Sequence, residues 1–320
     1  MNIGHILLAT DGSSRAEGAE AYACKLAELW GATLTVVSVL EFAPGLDPEY
    51  PVCRLYLAEL MKQATGELAR LKARAADHGI AVRTRIETGI PSELVLAAAV
   101  AEDADLIIVG TAGKSGLAHV LLGSTAERII RTASCPVLAV RMDGSGAEHT
   151  TGSTSQSATL DRILVPVDFS DCSLDALEYA VAVAQRAQAS VMLLHVMEPA
   201  SYGLDFTVPN RAAREHEREV LTERLASLVA ALDAAHVKSE SLVRGGLPRD
   251  SILEAARAWS ADLIVMGTHG RGGLSHALYG SVVESVLRKS HCPILTVRSP
   301  KFHQDHRRVV SAHSAVPMNP

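Results

Sequence analysis

The chain has 320 residues, which suggests about two domains of ~150 residues each, long enough for each to bury a core. Hydrophobic residues make up 48% and aromatic ones only 4%, so the expected core is aliphatic, built from Ala, Val, Leu and Ile. A net charge of −6 argues against a general nucleic-acid binder or a membrane-surface binder.

The first half reads in order as alternating strands and helices. Ile3 to Ala9 is an apolar run ending at Thr10-Asp11-Gly12, a buried strand and a turn. Ser14 and Glu17 have the Ser-x-x-Glu spacing of a capping box. The helix they would open runs to Trp30, with Gly31 as its stop. Thr33 to Leu40 is rich in β-branched residues and reads as a second strand. Pro44, Gly45, Pro48 and Pro51 mark a loop. Leu57, Leu60, Met61, Ala64, Leu68, Leu71 and Ala75 then recur at helical spacing, and His78-Gly79 ends that helix. Ala81 to Glu87 is a third strand. Gly89-Ile90-Pro91 opens a further helix, and Asp105 to Gly110 is a fourth strand. A helix after Ser124 leads to Cys135-Pro136 and a fifth strand, Val137 to Val140. Such alternation implies a parallel sheet with helices on both faces, an α/β fold.

Residues 142–159 are small and polar and read as a flexible linker. The pattern then restarts in constant register. Asp11 matches Asp168, Val39 matches Val196, and Gly89-x-Pro91 matches Gly246-x-Pro248. Ala104-Asp105 matches Ala261-Asp262, and Cys135-Pro136 matches Cys292-Pro293. Every pair is 157 residues apart, so the halves align without a gap. A duplicated domain is the simplest explanation. The expected organisation is a domain over 1–141, the linker, a second domain over 160–298 and a polar tail over 299–320.

The chemistry concentrates in Gly-x2-Gly-x9-Gly-Ser, which occurs twice. Gly110, Gly113, Gly123 and Ser124 form one copy, and Gly267, Gly270, Gly280 and Ser281 the other. Each follows an apolar strand and leads into a helix; the second helix is expected over 282–289. Glycine lets a ligand approach the backbone, and free N–H groups at a helix start attract phosphate. Ligands of open α/β sheets sit at the carboxyl ends of strands where the strand order reverses. If the first and fourth strands are neighbours there, Asp11 faces the glycine loop, and Asp168 does so in the second half. These carboxylates could accept a hydrogen bond from ribose or base, or hold a metal-bound water. Turn or cap chemistry is the structural alternative for a single such Asp, and its recurrence with the glycine motif favours a functional role.

These residues together resemble the universal stress protein family. The matching pieces are Ile-Leu-Leu-Ala-Thr-Asp-Gly-Ser and Ile-Leu-Val-Pro-Val-Asp-Phe-Ser at the two domain starts, Leu193-Leu194-His195-Val196, both Gly-x-Pro pieces, both glycine motifs and both Cys-Pro-(Val/Ile)-Leu ends. The resemblance covers nearly everything except the linker and tail. It implies two tandem five-stranded parallel sheets of the adenine nucleotide alpha hydrolase-like kind, strand order 3-2-1-4-5. It also implies ATP as ligand, because the glycine motif belongs to the ATP-binding members. By position, Asp11 and Asp168 would contact the nucleotide, and Val39 and Val196 would meet the adenine. The glycines and serines of each motif would cradle ribose and phosphates. Mg2+ or Mn2+ would be held mainly by the phosphates, with no dedicated protein metal site. Ala9, Ser38 and Ala112 stand opposite Pro166, His195 and His269, and none of these differences removes a phosphate-binding group.

Lys114 and Arg271 follow the second glycine at matching positions. They either pair with the γ-phosphate or are solvated loop cations. His119 and His276 also match, and a surface or helix-face role is expected for them. Cys135 and Cys292 read as small buried hydrophobes rather than redox groups. His303, His306 and Arg307-Arg308 fall in the tail and carry no site. Five cysteines without C-x-x-C give no disulfide or zinc framework. No apolar run reaches a membrane span, and the start shows no signal-peptide pattern, so a cytoplasmic protein is expected.

A stress-response regulator is therefore the expected function, with no catalytic residue assigned and its protein partner unknown. The rival is an ATP-using enzyme on the same fold, or a slow ATPase. Ser-Gly-Gly-x-Asp-Ser or His-x-Gly-His after the first strand would mark the pyrophosphatases and adenylyltransferases; the chain reads Thr10-Asp11-Gly12-Ser13-Ser14 and Val167-Asp168-Phe169-Ser170 there. A nucleotide-free adaptor would not need the glycine motifs. The apolar fifth strands, Val137–Val140 and Ile294–Val297, are expected to pair the two halves as an internal pseudo-dimer, and a homodimer is an open alternative. The 18-residue linker spans roughly 20–25 Å as a coil, which permits that pairing.

Overall fold

The computed structural model describes residues 2–13, 16–41, 50–111, 122–141, 158–198, 211–268 and 280–298. The chain divides between residues 158 and 159 into two units. The first holds β1 (His5–Thr10), α1 (Glu17–Trp30), β2 (Thr33–Leu40), α2 (Pro51–Asp77), β3 (Val82–Thr88), α3 (Pro91–Ala101), β4 (Leu106–Gly110), α4 (Ser124–Thr132) and β5 (Val137–Val140). The second repeats the order with β6 (Arg162–Pro166), α5 (Asp171–Ala187), β7 (Ser190–Met197), α6 (Arg211–Ala234), β8 (Ser239–Gly245), α7 (Pro248–Ala258), β9 (Leu263–Gly267), α8 (Ser281–Lys289) and β10 (Ile294–Val297).

In the first unit the strands lie in the order β3-β2-β1-β4-β5, and all four pairings are parallel. In the second the order is β8-β7-β6-β9-β10, again all parallel. The expected order 3-2-1-4-5 therefore holds in each unit. Crossovers in such sheets are right-handed. The chain moves one way along the sheet from β1 to β3 and the other way from β4 to β5. Hence α1 and α2 cover one face, and α3 and α4 the other. The packing agrees: α1 rests on β1 and β4, α2 on β2 and β3, while α3 meets α4.

Coverage of both faces explains the unbroken apolar strands. Ile6, Leu7, Leu8, Leu34, Ile107 and Ile108 are fully buried in the first unit. Ile163, Leu164, Val165, Leu193, Leu194 and Ile264 are fully buried in the second. The repeated Ala-Asp pairs have a structural task. The Asp105 carboxylate accepts the N–H groups of Gly4 at 2.7 Å and His5 at 2.9 Å. Asp262 accepts those of Asp161 at 3.0 Å and Arg162 at 2.9 Å. Each aspartate thus ties the start of the central strand to the start of its neighbour.

The register extends to the backbone angles. The left-handed residues of the described chain form five pairs, all 157 apart: Gly12 with Phe169, Gly31 with Gln188, Gly79 with His236, Gly89 with Gly246, and Asp103 with Ser260. The duplication is one of conformation, and only Gly89 and Gly246 keep the same residue.

Two local expectations are corrected. Helix α1 starts at Glu17 with Ala16 as its N-cap and no side-chain cap, so Glu17 is the first helical residue and not the third. The Ser14–Glu17 spacing therefore does not bracket the helix start as a capping box must. In the second unit a side chain does cap: Ser170 Oγ accepts from Ser173 N at 3.3 Å. Its register partner is Ser13. The fourth strand begins at Leu106 rather than Asp105, because Asp105 turns its carboxylate to the backbone of Gly4 and His5.

The ladders differ in two places, both at the end of β6: β1 pairs with β2 through Thr10, but β6 pairs with β7 only through Pro166. β1 pairs with β4 through Ala9, but β6 pairs with β9 only through Leu164. Val167 N bonds Leu194 O on β7, so by alternation the N–H of residue 166 would face β9. Pro166 has none.

Candidate functional site

The crevice lies at the carboxyl ends of β1, β2 and β4, where the strand order reverses. Thr10 pairs with Ser38, so Asp11 follows the end of β1 beside Val39, which stays in β2 and pairs with Glu87 on β3. Gly110 is the last residue of β4. In the second unit Asp168, Val196 and Gly267 stand at the same ends of β6, β7 and β9. The structure thus brings together the strand-end members of each expected set.

Both aspartates form the same turn. Asp11 Oδ1 accepts from Ser13 N at 3.0 Å, and Asp168 Oδ1 from Ser170 N at 2.9 Å. Asp168 Oδ1 also accepts from Ser170 Oγ at 2.6 Å. This is side-chain turn chemistry, the structural role considered for a carboxylate after a strand. It fixes the orientation of each carboxylate at the crevice mouth, which suits a ligand contact rather than opposing one.

The glycine loops share their closure. Gly123 N donates to Thr111 O at 2.9 Å, and Gly280 N donates to Thr268 O at 3.1 Å. One residue later Ser124 and Ser281 begin nine-residue helices. Neither N-cap glycine supplies a side-chain cap, so the first-turn N–H groups look out of each helix. Both serines are exposed. Gly267 has a packing reason as well. A Cβ there would come within 2.8 Å of Cys172 Sγ and within 2.7 Å of the Cys172 carbonyl carbon. Only glycine lets the end of β9 touch the start of α5. The expected contributions of Gly113, Lys114, Gly270 and Arg271, and of His119 and His276, lie outside the described residues. So do residues 142–157 and 299–320.

Behind the β1–α1 and β6–α5 turns the units diverge. In the first, Glu20 on α1 accepts from Thr10 Oγ1 at 3.4 Å and pairs with Arg74 of α2. Burial holds the Glu20 carboxyl above its ordinary value of 4.5, while Arg74 and Thr10 pull it back. In the second unit the matching residues are Val167, Leu177 and Ala231, all buried. There His195 Nδ1 lies 2.6 Å from Val167 O, its ring centroid is 5.3 Å from that of Phe169, and Arg224 sits 3.9 Å over the Phe169 ring. The first unit has Ser38, Gly12 and Glu67 at those positions. Sequence reading noted Ser38 opposite His195 but missed the other members. Applying the 157-residue register to unlike residues would have found them.

Among the described residues no helix is long and apolar enough to cross a membrane. None gathers three or more His, Cys, Asp or Glu that could hold a metal ion.

The universal stress protein family model matches the chain twice, over residues 2–141 and 159–298. A universal stress protein of Mycolicibacterium smegmatis is 28% identical over 298 residues, covering 92% of this chain and 96% of that one. A solved universal stress protein from Archaeoglobus fulgidus DSM 4304 superposes with a TM-score of 0.66 at 24% identity, covering 92% of this chain and 98% of that one. The Archaeoglobus fulgidus universal stress protein solved in complex with dAMP matches 43% of this chain and 98% of that one, at 23% identity and a TM-score of 0.33.

Proposed function

The chain belongs to the universal stress protein family, and from that premise we propose that each unit binds ATP in its strand-end crevice and that the protein acts as a stress-response regulator rather than a dedicated enzyme. One observation carries this reading. In both units a loop closed by the same backbone hydrogen bond delivers an uncapped helix start to the crevice that also holds an oriented aspartate. Uncapped N–H groups and the helix dipole suit phosphates. The aspartate suits a hydroxyl or amino donor, which a nucleoside supplies and a bare phosphate does not.

The roles follow by position. Gly110, Gly123 and Ser124 serve phosphate and ribose in the first unit, and Gly267, Gly280 and Ser281 in the second. Val39 and Val196 flank the base, and Gly113, Lys114, Gly270 and Arg271 complete the loops. A triphosphate is only partly neutralised by helix dipoles and one basic side chain, so Mg2+ or Mn2+ rides mainly on the phosphates. Regulation then runs through nucleotide-dependent conformation or partner choice in the cytoplasm. The test is mass spectrometry of nucleotide released from purified protein, followed by ATP titration with and without a chelator. ATP in the released fraction and weaker binding with chelator are expected. No adenine nucleotide and no ATP binding would sink the reading.

A further inference from the structure

Ten large apolar residues are exposed among the described ones, and eight of them match alanine, proline or a polar residue in the other copy. Leu55 and Tyr56 match Ala212 and Ala213, Met61 matches Arg218, Val100 matches Arg257, and Leu242 matches Arg85. Single exposed apolar side chains are ordinary, and these eight drift as ordinary surface does. The remaining two match each other. Ile90 is 53% exposed and Leu247 49% exposed, and they stand 157 positions apart, at the same point of the two units. We propose that these two side chains close the base end of the crevices, each covering a purine base beyond Val39 or Val196 and setting the preference for it. The proposal rests on the reading that both crevices take a nucleotide.

Their place in the fold carries it. Each follows an edge strand, and each is tied to the strand that holds the base-flanking valine. Gly89 N donates to Leu40 O, and Gly246 N donates to Met197 O, both at 3.1 Å. Leu40 and Met197 directly follow Val39 and Val196. Neighbouring strands lie about 4.8 Å apart, less than the length of a purine. A base seated at the valine and directed to the edge strand therefore reaches the residue after the glycine. The backbone there is fixed in both copies. Gly89 has a φ of 150° and Gly246 one of 144°, angles that glycine adopts readily and other residues rarely. Pro91 and Pro248 follow at the start of α3 and α7 and set the next turn.

Helix building does not ask for an apolar side chain at this point. Ile90 and Leu247 are the N-caps of α3 and α7, and neither makes a side-chain cap hydrogen bond. Isoleucine and leucine are among the poorest N-cap residues. A hydrophobic staple does not account for them either, because it uses the residue before the N-cap, which is Gly89 or Gly246. An aliphatic side chain kept twice at a poor place for the helix, and half-open to solvent, suits the flat apolar surface of a base. It offers no donor or acceptor to a base edge. It thus favours large bases over small ones and leaves the choice among purines to the backbone of β2 and β7.

Calorimetric titration of the full chain with ATP, UTP and inorganic tripolyphosphate tests this, beside Ile90→Asn, Leu247→Asn and the double variant. Asparagine is a favoured N-cap, so thermal unfolding should show each variant at least as stable as the unmodified chain. The double variant should bind ATP roughly tenfold more weakly, the loss expected when a base no longer covers a half-exposed aliphatic side chain. Each single variant should weaken one site and spare the other. Tripolyphosphate should bind every variant as it binds the unmodified chain, and the preference for ATP over UTP should shrink with the ATP affinity. Ile90→Leu combined with Leu247→Ile should restore the unmodified behaviour. Unchanged ATP affinity in the double variant overturns the proposal. So does an equal loss for tripolyphosphate, which would make the turn a support of the phosphate loop. An unmodified chain that binds no nucleotide overturns the nucleotide reading and this proposal with it, a result distinct from the other two.

Discussion

Glu67 lies against Gly12 in the first unit, and Arg224 lies over Phe169 in the second. The backbone there is the same, with φ of 68° and 63°. A left-handed conformation costs a residue with a Cβ about 1–2 kcal/mol. Gly12 avoids that cost and leaves space behind the turn. Phe169 bears it, and its contacts with His195 and Arg224, each worth about 0.5–1.5 kcal/mol, roughly offset it. The crevice mouth is common to both copies; what stands behind it is polar and open in one, aromatic and filled in the other. Duplication has kept the turn that aims the aspartate and released its support to diverge.

The comparison can be broken most sharply at Gly267. In Gly267→Val the new Cβ meets the Cys172 backbone, which cannot rotate away as a side chain could. We expect a loss of about 3 kcal/mol or more in the second unit. Hydrogen exchange on the full chain should show it there, with protection in the first unit unchanged. A next step down is Phe169. Phe169→Ala should destabilise the second unit by about 2 kcal/mol through lost ring contacts. Phe169→Gly should be the milder change by about 1 kcal/mol, because glycine relieves the left-handed cost. The reverse ranking in denaturant unfolding would mean the turn is not held as described.

Smaller still is the first unit's ion pair, a nearly buried Glu20 with an exposed Arg74. Replacing Glu20 by Leu and Arg74 by Ala copies Leu177 and Ala231 and should raise stability by about 1 kcal/mol at neutral pH. Its pH dependence has a definite sign. Glu20 has a raised pKa when folded, so its favourable contribution is complete below 4.5 and is lost as pH rises through the folded value. Thermal unfolding of the first unit should therefore weaken over that interval, and the double variant should lose this component of the slope. The smallest effect concerns the Cys-Pro ends. Burial pushes the Cys292 thiol up to about 11, so roughly one part in a thousand is thiolate at pH 8. Iodoacetamide should modify the half-buried Cys135 well before Cys292.

Much of this was legible in the sequence for a physical reason. Strands covered on both faces must be continuously apolar, and glycine loops must keep their spacing, so the alternation of elements and the register of the repeat could be read directly, while the strand order came with the family resemblance. Gly31 was readable as a helix stop because its left-handed angle favours glycine. Gln188 ends α5 in the same conformation without that marker. The α1 start was misread because Ser-x-x-Glu is only a spacing, and the chain makes its turn with Ser13 bonded to Asp11 instead. What stands behind the β1–α1 turn was not legible at all. It depends on how α2 packs over β1 and β2, and its residues (Thr10, Gly12, Glu20, Ser38 and those of α2 from Ala64 to Leu71) come from four separate stretches with no motif among them.

The central claim is that two differently supported copies keep the same nucleotide site. Equilibrium binding of ATP to the full chain, beside Gly113→Val and Gly270→Val, tests it most directly. A branched side chain in either glycine loop should block close phosphate approach in its own copy. The expected result is two ATP per unmodified chain and one per variant. A chain that binds none, or a single substitution that empties both sites, would contradict the claim.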